Sequence, residues 1–250
     1  MNAPTILTTG GIIAAGQGSR LKRDGFPMPK PIVSVAGVPL IERVVRSFAS
    51  VGIRRLQVIF NEEDRECVTF MQEHFPNLDI HCLVKTTRSS YESFWEVGQR
   101  LGPARTLIST VDWICSWSDF RRFVRQAWGY SEASVVLAVT PFVADENPLW
   151  VTLDPSGRVT SIGGDSGDAV TAGLYLVSGT IFGHAPHPST LGRLRDYLVW
   201  MVARGEPIYG VVIDQVIDVD RAEDLHLAER LTHPSLSGSG REGQPSGGSV

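Results

Sequence analysis

Two positive side chains ten residues apart follow a glycine-bearing loop. Arg20 stands near the end of the run Ala14-Ala-Gly-Gln-Gly-Ser-Arg-Leu21, and Lys30 stands in Pro29-Lys-Pro31. A loop in which Gly16 and Gly18 carry no side chain lets backbone N–H groups approach phosphate oxygens. Arg20 adds a planar fork that matches two such oxygens. Lys30 adds a compact charge that can sit on a phosphorus under attack. Phosphoryl-type transfer is mostly positioning and charge stabilisation, so these are the donors such chemistry needs. A tight strand-to-helix turn would use the same glycines, and the spacing alone leaves both readings open. The loop is not a dinucleotide fingerprint, because the third glycine is missing and no helix is expected directly after it. Nor does a Gly-Lys-Ser/Thr close it as a P-loop.

A carboxylate completes the set. Asp112 follows the apolar run Thr106–Val111, and α/β sheets bind ligands at the carboxyl ends of their parallel strands. Asp112 can there hold Mg2+ against a triphosphate. The competing role, N-cap of the next helix, falls more naturally to Ser116 or Ser118.

The run IAAGQGSRLKRDGFPMPKPIVSVAGVPLIERVV resembles the signature AAGxGTRLxPLTxxxPKPLxxVxGKPLIE of sugar-phosphate nucleotidyltransferases, over more than thirty residues at fixed spacing. The resemblance implies a loop of Ala14, Ala15, Gly16, Gly18 and Ser19 around an NTP, with Arg20 and Lys30 on its phosphates. An acceptor phosphate oxygen would then attack the α-phosphorus and pyrophosphate would leave. It also implies a metal-binding Asp at the end of the central strand, matched by Asp112, and a second within a DxxxxEDL segment. Val216–Leu225 (VIDVDRAEDL) is similar and puts Asp218 on that position. Asp220, three residues before Glu223, is assigned instead to a capping box for the last helix.

This sequence departs from the family in several places. Arg23-Asp-Gly25 replaces Pro-Leu-Thr, and Val38 stands where a Lys is common. Lys85 and Ser90 occupy positions that in dTDP- and UDP-sugar-forming relatives read the base as Gln and approach the nucleoside as Gly, so the base is not determined. Ser89, Ser90 and Ser93 serve equally as a helix N-terminus. Val170–Tyr175 resembles the xxGGxY strand, which assigns Gly173 to the acceptor. The preceding Glu-Lys-Pro, whose lysine grips the acceptor phosphate, is absent; Arg193 or Arg195 is the substitute to test. His184 and His187 are expected to be surface residues.

Short apolar runs alternating with amphipathic stretches must position these residues. Strands are expected at Thr8–Ala15, Leu56–Phe60, Ile80–Val84 and Thr106–Val111. Helices are expected at Pro39–Val51, Glu62–His74, Tyr91–Leu101 and Ser118–Trp128. That order implies a doubly wound, mostly parallel α/β sheet of Rossmann-like type. From Ser134 the texture changes to strands joined by turns (Ser134–Thr140, Trp150–Leu153, Arg158–Ile162, Ala169–Val177), read as an antiparallel insertion. A helix at Leu191–Arg204, strands at Ile208–Ile213 and Val216–Asp218, and a helix from Arg221 to Leu231 close the domain, residues 1–233. Residues 234–250, rich in Gly and Ser, are expected to form a dispensable, disordered tail.

Composition sets the outer bounds. Net charge is −4 and pI about 5.9 over 250 residues, so no chain-wide basic field would hold nucleic acid or an anionic membrane. The partners expected are an NTP and a phosphorylated small-molecule acceptor; monomer and homo-oligomer both stay open. Cys67, Cys82 and Cys115 lack paired spacing and suit a reducing compartment. With no basic residue before Arg20 and no apolar run near the roughly 18 residues of a membrane span, a cytoplasmic location is expected. A glycosyltransferase of related architecture would need Asp-x-Asp after a central strand, and Val111-Asp-Trp113 is not that. A non-catalytic relative would have no reason to keep Arg20, Lys30, Asp112 and Asp218 together.

Overall fold

The computed structural model describes residues 8–143 and 147–232, so the expected tail lies outside the described residues. The first half alternates strand and helix. β1 (Thr9–Ala14) leads through the glycine loop into α1 (Ser19–Arg23). A 3-10 turn (Lys30–Ile32) and the hairpin β2 (Ser34–Val35) and β3 (Val38–Pro39) precede α2 (Leu40–Ser50). Next come β4 (Arg55–Phe60), α3 (Glu66–His74), β5 (Asp79–Val84), α4 (Ser90–Gly98), β6 (Arg105–Thr110), β7 (Trp113–Cys115) and α5 (Trp117–Gly129). The second half holds β8 (Val135–Thr140), β9 (Trp150–Leu153), β10 (Val159–Ile162), β11 (Ala169–Ser178), α6 (Leu194–Ala203), β12 (Ile208–Val212), β13 (Val216–Asp218) and α7 (Ala222–Thr232).

Nine strands make one sheet. β5, β4, β1 and β6 pair in parallel, and β11 runs antiparallel between β6 and β8. β12 pairs in parallel with β8, and β9 and β10 extend from the end of β11. Following those directions, only β10 and β11 oppose the rest. The sheet is therefore mostly parallel, as expected, but the antiparallel portion is narrower: the Ser134–Thr140 strand belongs to the parallel set.

Strand periodicity explains the two cores. In β1, Ile12 and Ala14 face a cluster covered by α2, α5 and α7, while Ile13, and Ala15 just past the strand, face one covered by α4 and α6. α2 inserts Leu40, Ile41, Val44, Val45 and Phe48, all buried, into the first. Full burial of such a side chain stabilises by roughly 1.5–3 kcal/mol.

Two features differ from the sequence reading. A helix does follow Gly18 directly: α1 is five residues long and buries only Leu21, too short to show an apolar stripe. The expected helix from Glu62 is split, because Asn61 accepts a hydrogen bond from the Glu63 N–H and starts a separate 3-10 turn (Glu62–Asp64) before α3.

Candidate active site

The glycine loop and Lys30 are built against each other. Gly18 sits at φ 61°, and a Cβ there would lie 2.9 Å from Lys30 Cβ. Any other residue would be strained and would push Lys30 away. The Lys30 side chain is buried, and its Nζ donates to Asp112 Oδ2 at 2.6 Å and to Asp220 Oδ1 at 2.5 Å. Arg20 Nη1 donates to the other Asp220 oxygen, Oδ2, at 2.9 Å. Two cations and two carboxylates thus form one connected group.

Burial works against the charge of Lys30, but Asp112 and Asp220 more than offset it, so its pKa stands above the ordinary lysine value. Burial likewise opposes ionisation of Asp112, and Lys30 reverses that, holding the carboxyl below its usual range. Both groups are charged at neutral pH.

The carboxylates meet through a small sheet that the sequence did not reveal. β7 and β13 pair antiparallel with Asp218 opposite Trp113, and the Val219 N–H bonds the Asp112 carbonyl at 3.0 Å. Asp112, Asp218 and Asp220 consequently line one cavity. The capping role assigned to Asp220 is corrected here. Its carboxylate faces Lys30 and Arg20, while Asp224 accepts from the N–H groups of Asp220 (2.9 Å) and Arg221 (2.8 Å). The Ala222 N–H goes to Asp24 Oδ2 at 3.1 Å. Asp24 lies in the segment that departs from the family signature, and there it docks the glycine-loop side of the site onto α7.

Two cavities meet at Asp112. The larger, about 650 Å3, is walled by Ala15, Gly16, Gly18, Ser19 and Lys30 on one side and by Ser89 and Ser90 on the other. The smaller, about 200 Å3, is walled by Gly173, Tyr175, Arg195 and the three aspartates. Ser90, Thr110 and Asp112 belong to both. Gly173, at φ 64°, leaves space that a Cβ would fill 2.5 Å from Thr110 Oγ1. Gly173→Ala is therefore expected to lower stability by roughly 1–3 kcal/mol, the scale of one strained backbone position. It should also raise the acceptor KM more than the NTP KM; an unchanged melting temperature and KM would refute the close fit.

Other candidates separate. Ser89 caps α4, accepting from the Glu92 N–H at 3.1 Å, and also lines the larger cavity. Ser90 Oγ accepts the Leu194 N–H at 3.0 Å, tying α4 to α6. Ala14 lies in the core at the end of β1, outside both cavity walls. Lys85 is also outside them: its Nζ sits 2.9 Å from Glu92 and 2.6 Å from Glu96, so it braces α4. The nucleotide-contact role assigned to Lys85 finds no geometric support. His184 and His187 are exposed, as expected.

Asn61 was missed. It is buried in the floor of the larger cavity, where Nδ2 donates to the Ala15 carbonyl at 3.2 Å and Oδ1 accepts from Thr86 Oγ1 at 3.3 Å. It fastens the glycine loop to the segment entering α4. The available signal was a polar residue directly after the apolar strand ending at Phe60.

Among the described residues, no group of three or more His, Cys, Asp or Glu can hold a metal unaided. Mg2+ usually takes one or two carboxylates together with substrate phosphates and water. The ionised Asp112, with Asp218 on the same wall, fits that pattern.

The chain is similar to several known proteins. A curated relative from Lancefieldella rimae, a 2-aminoethylphosphonate cytidylyltransferase, is 26% identical over 186 residues, 73% of this chain and 69% of its own length. A bifunctional IPC transferase and DIPP synthase from Rubrobacter xylanophilus is 28% identical over 229 residues, covering 88% of this chain; the chain spans about half (51%) of that protein. The solved inositol-1-phosphate CTP transferase of T. maritima superposes with a TM-score of 0.78 at 16% identity, covering 91% of this chain and 98% of its own, and so shares the fold. Among the described residues no helix is long and apolar enough to cross a membrane. Residues 10–171 match the MobA-like NTP transferase domain, and the chain belongs to that family, as an enzyme of the nucleotidyltransferase type.

Proposed function

We propose that this chain transfers a nucleoside monophosphate from an NTP, with CTP the first candidate, to the phosphate or phosphonate oxygen of a small acceptor, releasing pyrophosphate. The carrying observation is the placement of Lys30 and Asp112 at the seam between the two cavities. A nucleotide in the larger cavity would have its triphosphate against the glycine loop, with Arg20 and Lys30 as charge donors. An acceptor in the smaller cavity would approach from the far side of Asp112, which suits in-line displacement. A phosphate oxygen is already largely ionised near neutral pH, so no general base is required. Mg2+, held by Asp112 and Asp218, would neutralise charge on the triphosphate as it develops.

CTP is favoured because two of the relatives are named for cytidylyl or CTP transfer. The acceptor class, a phosphorylated or phosphonylated small molecule, rests on the same names; a sugar 1-phosphate is one member of it. The three cysteines are unpaired thiols, which supports a cytoplasmic setting. The test is pyrophosphate release from each of the four NTPs with a panel of sugar, polyol and amino-alcohol phosphates and phosphonates, with and without Mg2+. CTP should give the highest kcat/KM. No release with any pair would refute the reading.

A further inference from the structure

The glycines that open the loop also leave it free to turn. Gly16 is exposed on the wall of the larger cavity, and a Cβ there would meet nothing within 4 Å. On the Gly16 side, then, no packing fixes the peptide that joins Ala15 to Gly16, and glycine accepts both signs of φ. Were that peptide to turn over, an entering anion would meet a carbonyl oxygen in place of an N–H.

Asn61 removes that freedom. Its side chain is buried, and Nδ2 donates to the Ala15 carbonyl at 3.2 Å. At the other corner of the amide, Oδ1 accepts the Glu63 N–H at 3.1 Å and the Thr86 hydroxyl at 3.3 Å. Two donors on Oδ1 and an acceptor at Nδ2 leave the amide one orientation. The Ala15–Gly16 peptide is trans, so its N–H points opposite to its carbonyl. With the carbonyl held in the cavity floor, the Gly16 N–H is turned toward the open side.

We propose that Asn61 is a positioning residue that presets the Gly16 N–H as a donor to a phosphate group in the larger cavity. It touches no reacting atom and acts through one main-chain carbonyl. A donor already aimed needs no reordering when the anion arrives, which is the benefit of preorganisation. The inference rests on the proposed nucleotidyl transfer for its meaning in turnover, but the direction of the N–H can be measured without turnover.

The probe is inorganic tripolyphosphate, the phosphate chain of an NTP without base or sugar, titrated by NMR with Mg2+ into the full isotope-labelled chain. Asn61→Ser keeps an oxygen for the Glu63 N–H but is too short to reach Ala15. Asn61→Asp keeps the shape and both acceptor contacts but has no donor; its added charge leaves the Ser variant as the quantitative comparison. In wild type the Gly16 amide resonance should shift as tripolyphosphate binds. In both variants that shift should shrink, and in Asn61→Ser binding should weaken about tenfold, the scale of one charge-assisted hydrogen bond. In turnover the NTP KM should rise by a similar factor while kcat changes less than about threefold, because the bond serves ground and transition states alike. A Gly16 amide that ignores tripolyphosphate in wild type, or equal binding in wild type and Asn61→Ser, would overturn the inference. So would unfolding of both variants, which would make Asn61 a structural residue, or a loss of kcat with tripolyphosphate binding unchanged. Tripolyphosphate binding that depends on Asn61, without pyrophosphate release from any NTP and acceptor, would uphold the positioning role and refute the proposed transfer.

Discussion

Lys30→Ala is expected to reduce kcat by on the order of a hundredfold or more, the scale of losing one preorganised charge-stabilising donor. The NTP dissociation constant should change much less. The reason is location: Lys30 is buried at the seam, within 2.6 Å of Asp112, where on the proposed reading charge would develop during transfer, while the glycine loop and Arg20 would still hold the triphosphate. The substitution also leaves Asp112 and Asp220 facing each other without their shared cation, so melting curves must accompany the kinetics. Lys30→Met, which keeps most of the packing against Gly18, is the control for collapse of the loop. Normal turnover in a folded Lys30 variant would place the chemistry elsewhere.

Asp112→Asn and Asp218→Asn should each lower turnover about a hundredfold or more, since a metal's charge stabilisation is worth several kcal/mol. High Mg2+ should restore part of the loss, because the variants weaken the ion's attraction rather than its space. Asp220→Asn is expected to behave differently. Asp220 bridges Arg20 and Lys30, so its loss should misalign the cations and depress turnover at every Mg2+ concentration. Helix α7 should stay capped through Asp224 and Asp24, with little change in melting. The measurement is Mg2+-dependent turnover beside melting temperature for the three Asn variants. If Asp220→Asn is the one Mg2+ rescues and Asp218→Asn turns over normally, Asp220 and not Asp218 is the ligand.

The reversal over Asp220 shows what was legible in the sequence and what was not. The glycine-loop residues and Asp112 come just after β1 and β6, whose apolar runs are plain in the chain, and Lys30 stands at a fixed spacing from Arg20 in the next turn. Asp220 and Glu223 also satisfy a local pattern, the capping box, but the carboxylate is claimed by Lys30, 190 residues away in sequence. A local signal cannot weigh that. β7 was invisible for the same reason: Trp113–Cys115 is a strand only because Val216–Asp218 pairs with it. Lys85 shows another limit. It was placed by its position relative to the base-reading Gln of relatives, whereas Glu92 and Glu96, one turn apart on α4, hold its side chain in the structure. Asn61 carries no motif at all; its role exists only where the glycine loop and the α4 entry converge.

The chain of ion pairs Arg20–Asp220–Lys30–Asp112 has a consequence for how a nucleotide would enter the proposed site. Its formal charges cancel, so the resting site is not a bare positive patch awaiting an anion. A triphosphate entering beside the glycine loop must take the place of carboxylates as counter-ion to Arg20 and Lys30, and the carboxylates it releases must find another cation. On the proposed reading, binding would be an ion exchange in which metal and nucleotide arrive as complementary partners, and each alone would meet a site already content with its own charges.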